Sequence, residues 1–146
     1  MSIKKIPVAV DGSKAATLGA HKAIELAKRF GAGLTILYIV SPQTYIDLGY
    51  VNMGRMNEIE SKEKKQAQRL VGKVKDKAIE NDITVKTDVL VGYTSVVKAI
   101  VEYAEKNKMD LIVLGSRGMT GFKKMLLGSV ASGVVTYAHC PVMVVK

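Results

Sequence analysis

The sequence predicts an α/β protein with a single open five-stranded parallel sheet and helices on both faces. Apolar runs of strand length alternate with segments of helical periodicity along the whole 146-residue chain. The run at residues 111–114 is apolar at consecutive positions, which is typical of a parallel strand buried on both faces. Crossovers between parallel strands are right-handed and place helices on both faces, so this alternation indicates a doubly wound sheet.

The first half of the chain supplies two strands and two helices. Residues 3–10 are predicted to be a strand, in which Pro7 indicates irregular pairing or one missing donor. Ser13 is a favourable N-cap for a helix that ends near Phe30 and Gly31, and residues 33–40 form the second strand. Residues 43–55 have no firm period and are interpreted as a mobile crossover. A long amphipathic helix follows, with an apolar face formed by Met56, Ile59, Ala67, Leu70, Val71, Val74 and Ala78.

The second half repeats this alternation. The strand at 83–91 alternates enough in hydropathy to lie near an edge, and a helix begins after Ser95. The strand at 111–114, a helix over about 129–138 and a last strand at 141–145 complete the chain. The predicted strand order is 3-2-1-4-5. It makes the first and fourth strands neighbours, so Asp11 and Gly115 should face each other across one crevice at their carboxyl ends.

Composition indicates one domain over residues 1–146 and an ordinary globular class, with 48% hydrophobic and 24% charged residues. The only cysteine, Cys140, cannot form an internal disulfide, and no signal peptide or membrane span is expected, which favours the cytoplasm. The formal net charge is +9, but the basic residues are dispersed and aromatics are only 5%. We therefore expect solvated basic faces and no nucleic-acid partner.

The stretch after the fourth strand carries the strongest functional signal. Gly115, Gly118 and Gly121 punctuate a loop that returns to a helix start at Gly128 and Ser129. Such a loop holds phosphate, because backbone N–H groups and the positive end of the helix dipole both face the anion. The chain has neither a P-loop nor a dinucleotide-binding glycine fingerprint. Composition alone therefore leaves structural turns as the alternative explanation of these glycines.

The glycine spacing resembles a known family. Gly115, two residues, Gly118, nine residues, then Gly128 and Ser129 is similar to the ATP-binding branch of the universal stress protein family. Residues 7–13, the turn at Gly92 and residues 138–145 also resemble it, so the likeness spans nearly the whole chain. It implies a Rossmann-like fold of the adenine nucleotide alpha-hydrolase type and an ATP site in a stress-response protein.

The resemblance also implies roles for individual residues. Ala9, Val10 and Ile39 would line the adenine slot, Asp11 would lie close to the adenosine, Leu114 and Gly115 would close the ribose side, Gly118, Gly128, Ser129 and Val130 would meet the phosphates, and Arg117 and Ala131 would lie at the margin. Mg²⁺ would bridge the phosphates without a protein cage of its own. The apolar last strand, at an edge, predicts a homodimer formed by pairing with a second copy.

No catalytic residue is assigned. His21 and His139 lack metal-ligand spacing, and Cys140 is interpreted as a small buried residue. Asp11 has no evident partner that would orient water and neutralise a leaving group. The sequence favours a nucleotide-dependent switch or interaction module. A slow ATPase or nucleotide hydrolase and a dimeric scaffold without nucleotide remain open at this point.

Overall fold

The structure is a computed structural model that describes residues 2–40, 53–117 and 127–146, with the backbone alone for residues 53–56. The described residues form five strands, β1 Lys5–Ala9, β2 Gly33–Val40, β3 Val85–Val91, β4 Ile112–Gly115 and β5 Val142–Val145. They also form four helices, α1 Lys14–Phe30, α2 Met53–Glu80, α3 Val96–Lys106 and α4 Ser129–Tyr137. All strand pairs are parallel and the order is β3-β2-β1-β4-β5, which confirms the predicted fold class and strand order.

The central strand β1 pairs fully with β2 but at only one position with β4. Its register with β2 runs from Lys5 opposite Gly33 to Ala9 opposite Leu37, whereas Val8 opposite Val113 is its single pair with β4. The Val10 N–H donates to the Leu37 carbonyl, so alternate β1 residues turn their N–H groups to β2. By that alternation Pro7 faces β4, where its missing N–H accounts for the interrupted ladder.

Two apolar layers cover the sheet. One layer joins the even-numbered side chains of β1 and β2 to α1 and α2, and includes Ile6, Val8, Ile36, Ala23 and Ala67. The other joins Leu37, Ile39, Ile112 and Leu114 to α3 and α4 through Ile100 and Val134. The inner strands β1, β2 and β4 therefore bury both of their faces, as their apolar runs predict, whereas β3 and β5 at the two ends of the order are more exposed. In the described parts of the chain, no helix is long and apolar enough to cross a membrane.

Local capping sets where several elements begin and end. The Ser13 hydroxyl accepts from the Ala16 N–H at 3.1 Å at the start of α1, and Gly31 ends that helix in the left-handed region at φ 63°. β3 begins at Val85, two residues later than expected, because Asp82 turns at φ 58° and the Ile83 N–H still donates to the Ala78 carbonyl of α2. Gly115 belongs to β4.

The predicted crossover at 43–55 is only partly described. Residues 43–52 lie outside the described residues, whereas residues 53–55 are the first turn of α2 and not part of a crossover. The prediction ended that crossover too late, because Gly54 in the sequence suggested a loop. A glycine costs a helix only about 1 kcal/mol relative to alanine, which the packing of a long amphipathic helix outweighs.

Candidate functional site

The carboxyl ends of β1 and β4 lie side by side, at the end of the sheet where all five parallel strands finish. Val8 is opposite Val113. Extending that parallel register by two residues puts Val10 level with Gly115, with Asp11 one residue beyond. The structure therefore brings Asp11 to the same edge as Gly115, Ser116 and Arg117, where ligands bind in open parallel sheets.

Asp11 shapes the turn that starts α1. Its carboxylate accepts a hydrogen bond from the Ser13 N–H at 2.8 Å, and Gly12 between them has φ 87°, a conformation that favours glycine. The Asp11 side chain is half-buried. One of its oxygens is therefore engaged locally, and the carboxylate keeps further acceptor capacity for a ligand hydroxyl at the crevice.

Gly115 is required by packing between α1 and β4. A Cβ at this position would lie 2.5 Å from the backbone carbon of Ala15 and 2.7 Å from the Ala16 nitrogen. Gly19, one turn further along α1, faces it from the helix, since a Cβ there would lie 3.0 Å from the Gly115 nitrogen. The first turn of α1 therefore lies directly on the end of β4. This contact explains the glycine at 115 without any ligand.

The backbone of Ser116 joins the ends of the glycine-rich loop to the sheet. Its N–H donates to the Val145 carbonyl at 2.8 Å, and its carbonyl accepts from the Gly128 N–H at 2.6 Å. Ser116 is only 5% exposed. These bonds hold the start of α4 against the carboxyl ends of β4 and β5. The sequence analysis did not single out Ser116, although its place directly after Gly115 was a usable signal.

The amino end of α4 differs from those of α1 and α3. Ser13 caps α1 and Ser95 caps α3, each through its hydroxyl, whereas Gly128 leaves α4 without a side-chain cap. The Ser132 N–H is the first to bond within the helix, to the Gly128 carbonyl at 2.9 Å. The N–H groups of residues 129–131 thus have no partner within their own helix, and together with the helix dipole they form an anion-binding end.

The four predicted site residues at the amino end of α4 differ in exposure. Gly128 and Ala131 are buried, Val130 is half-buried and Ser129 is exposed. The Ser129 hydroxyl is thus accessible at the first helical position, beside the N–H groups that have no partner within the helix. Arg117, at the other end of the loop, is half-buried. Gly118, the remaining predicted phosphate residue, lies outside the described residues.

The predicted adenine slot is divided between the two faces of the sheet. Ile39 and Leu114 lie in the apolar layer under α3 and α4, and Ala9 packs against the same layer. Val10 instead lies in the layer under α1 and α2. Side chains alternate across a strand, so Ala9 and Val10 cannot line the same surface with their side chains. The structure brings Ala9, Ile39 and Leu114 together, and only the backbone of Val10 remains available on their side.

A buried polar pair lies on the α1 and α2 side of β2. The Tyr38 hydroxyl donates to Glu63 at 3.4 Å, and the second oxygen of the Glu63 carboxylate is buried without a partner. Burial raises the pKa of Tyr38 to about 12, with further contributions from the charges of Glu63 and Asp11. The hydroxyl is therefore a stable donor, and it holds α2 against β2.

Candidates from other chemistries have little support in the described residues. Nowhere in them do three or more His, Cys, Asp or Glu side chains form a metal-binding group. Cys140 is half-buried, and burial is the main cause that raises the pKa of its thiol, which disfavours the reactive thiolate. His21 contacts Lys77 on the outer surface of α1 and α2, away from the crevice.

Comparison with known proteins decides the family. The profile of the universal stress protein family matches residues 2–146. The chain belongs to the universal stress protein family. A universal stress protein of Methanocaldococcus jannaschii is 41% identical over 143 residues, which are 98% of this chain and 82% of that relative.

Solved structures of family members have the same fold. The universal stress protein UspA from Lactobacillus plantarum superposes with a TM-score of 0.87 at 28% identity, covering 100% of this chain and 99% of that one. An Archaeoglobus fulgidus member in complex with dAMP has a TM-score of 0.70 at 22% identity, covering 100% of both chains. An Arabidopsis thaliana member with AMP bound has a TM-score of 0.70 at 18% identity, covering 98% of this chain and 91% of that one. These two more distant likenesses establish a shared fold.

Proposed function

We propose that this universal stress protein binds ATP in the crevice at the carboxyl ends of β1 and β4. The observation that carries the proposal is the uncapped amino end of α4, which is held beside the ends of β4 and β5 by the Gly128–Ser116 hydrogen bond. The N–H groups of residues 129–131 and the exposed Ser129 hydroxyl would bind the phosphates. Arg117 and Gly118 would contribute from the loop before α4.

The base and ribose would lie toward β1 and β2. Ala9, Ile39 and Leu114 share one apolar layer there and would offer adenine a surface, together with the Val10 backbone. The Asp11 carboxylate, with one oxygen already accepting from Ser13, would accept from a ribose hydroxyl. Adenine nucleotides bound to two structurally similar family members support this choice of ligand class.

The proposed role is a nucleotide-dependent switch in the cytoplasmic stress response. Bound phosphate would favour one arrangement of the loop before α4, and a ligand with different affinities for two arrangements shifts their populations. Mg²⁺, when bound, would neutralise charge between the phosphates. The Asp11 carboxylate is engaged in the α1 turn, so the proposal gives it a binding role and assigns no group to activate water.

A homodimer through β5 is part of the proposal. β5 is the last strand in the order, and all four of its residues are only partly buried. Ile112 donates to the Pro141 carbonyl and Ser116 to that of Val145, so odd-numbered residues of β5 bond to β4. Val142 and Val144 therefore turn their backbone groups outward, where a second β5 could pair with them.

Calorimetric titration with Mg-ATP tests the proposed function. We expect one nucleotide per chain, together with an adenine nucleotide in acid extracts of the freshly purified protein. No heat and no extracted nucleotide would support the scaffold alternative. Release of phosphate over many turnovers, lost in Asp11→Ala, would instead establish a hydrolase.

A further inference from the structure

A second groove lies between α1 and α2, toward the amino ends of the strands, whereas the proposed nucleotide site lies at their carboxyl ends. It has a volume of about 630 Å³ and is lined by His21, Ile24, Glu25, Lys28, Arg29, Lys77 and Asn81. Each of these helices leads into the amino end of the next strand, so the last turns of the helix lie near the amino ends of the strands. A ligand here would therefore be distinct from one at the carboxyl ends of β1 and β4.

The groove has an excess of positive charge. Its only acidic residue, Glu25, pairs with Lys22 at 2.9 Å, which neutralises it. Lys28, Arg29 and Lys77 are exposed, and none of them forms an ion pair with a described carboxylate. Three like charges along one groove repel one another, and an acidic partner would relieve that repulsion.

The Lys77 ammonium also contacts His21 across the groove. Its Nζ lies 3.3 Å from the His21 Nε2. A hydrogen bond at this distance would run from the ammonium to Nε2, because an ammonium carries donors only. The contact bridges the two helices and places Lys77 over the groove.

The groove combines this charge with apolar surface. Ile24 forms its floor at 5% exposure, and the methylene stems of the long basic side chains line its walls. From His21 to Arg29, α1 rises about 12 Å, the length of about two helical turns.

We infer that this groove docks an acidic amphipathic peptide segment of a partner protein. Acidic side chains of the partner would pair with Lys28, Arg29 and Lys77, while its apolar residues would contact Ile24 and the methylene stems of those basic side chains. Docking of an amphipathic helix in a groove is a recurrent mode of peptide recognition. Nucleic acid is the less suitable occupant, because no aromatic side chain lines the groove for stacking with bases.

Fluorescence anisotropy tests the inference. The probe is a labelled helical peptide of about four turns, with leucine along one face and glutamate on the others. We expect it to bind the full chain, and a peptide with lysine in place of glutamate to fail. Lys28→Glu with Lys77→Glu should weaken binding at least about tenfold, because both attractions become repulsions. Saturating Mg-ATP should leave the peptide affinity unchanged.

A matched double variant controls for net charge. Lys75→Glu with Lys86→Glu makes the same charge change on exposed residues outside the groove, since position 75 lies about 200° around α2 from position 77. We expect it to weaken peptide binding less than about threefold, by the long-range charge effect alone. Circular dichroism verifies that each variant is folded. If the double glutamate variant does not fold, the double variant Lys28→Gln with Lys77→Gln takes its place, and it should bind the peptide about threefold more weakly than the wild type.

Three results would overturn the inference. One is equal affinity of the acidic peptide for the wild type and the groove variant. Another is displacement of the peptide by Mg-ATP, which would make the groove a phosphate site. The third is binding of a short double-stranded DNA that depends on Lys28 and Lys77 while the peptide does not bind.

Discussion

Replacing Ser129 with aspartate places a carboxylate where the proposed function places phosphate. Ser129 is exposed and begins α4 after a glycine that provides no side-chain cap, so its side chain lies at the helix end where the N–H groups of residues 129–131 have no partner within the helix. Two unit charges about 4 Å apart repel by about 1 kcal/mol in water and by about 4 kcal/mol near a protein surface. We therefore expect ATP to bind Ser129→Asp at least about tenfold more weakly, since about 1.4 kcal/mol corresponds to tenfold.

The same substitution should not harm the fold. An acidic residue in the first turn stabilises a helix by about 0.3 to 1 kcal/mol through the dipole, so the melting temperature should stay equal or rise. Stability and ATP affinity are thus expected to change in opposite directions. Such a result could not come from partial unfolding.

Calorimetry of three variants would separate the causes. Ser129→Ala removes only the hydroxyl and should lose less affinity than Ser129→Asp. Thr84→Asp adds the same charge at an exposed position just before the amino end of β3, away from the carboxyl ends of the strands, and this variant should bind ATP like the wild type. Each titration should be carried out with and without Mg²⁺, because the new carboxylate of Ser129→Asp, beside the phosphates, would also offer the metal a ligand. ATP affinity of Ser129→Asp within twofold of wild type in both conditions would refute the phosphate placement.

Three further predictions concern stability and assembly. Gly115→Ala should lower the free energy of unfolding by about 2 kcal/mol or more, because its Cβ would lie 2.5 Å from the Ala15 backbone. Gly72 in α2 is the control, because a Cβ there would meet nothing within 4 Å, and Gly72→Ala should raise the free energy of unfolding by about 0.5 to 1 kcal/mol. If both substitutions lowered the free energy of urea unfolding equally, the close packing at Gly115 could not be the cause. Val144→Pro removes an N–H group of β5 that faces away from β4, so this variant should sediment as a single chain of 15.8 kDa. The control Val144→Ala keeps that N–H and should stay dimeric. A wild-type protein that already sediments as a single chain would exclude the dimer. Burial of the phenol raises the pKa of Tyr38 from 10.0 to about 12, so ionisation of this group should lower the free energy of unfolding only as the pH rises from 10 toward 12, by about 2 to 3 kcal/mol. Tyr38→Phe should lessen that decline in denaturant unfolding.

The fold could be predicted because each strand and helix has a local cause in the sequence. Ser13 and Gly31 mark the ends of α1 at the positions that the structure shows, and the apolar run of β2 matches its bounds. The start of β1, by contrast, has a tertiary cause. The Lys4 and Lys5 N–H groups both donate to the Asp110 carboxylate, a residue more than a hundred positions away, and β1 begins at Lys5 instead of residue 3.

The candidate site was predicted in outline but not in its physical detail. Glycine spacing located the turn from β4 to α4, yet spacing cannot separate a glycine that packs from one that binds. Gly115 proves to be needed against the α1 backbone, whereas Gly128 leaves a helix end open. The division of Ala9 and Val10 between two faces follows from strand alternation and could have been predicted. The bonds of Ser116 could not, because backbone partners distant in sequence leave no residue pattern.

An amide-resolved NMR titration with Mg-ATP would report both whether the nucleotide binds and which residues it contacts. The proposed function predicts that the largest shifts fall on the amides of Ser129, Val130 and Ala131, whose N–H groups would donate to phosphate, with smaller shifts near Asp11. The groove lined by Lys28 and Lys77 should show little change. Saturating ATP that leaves the amides of residues 129–131 unmoved, or that shifts only the amides of the α1–α2 groove, would contradict ATP binding at the amino end of α4.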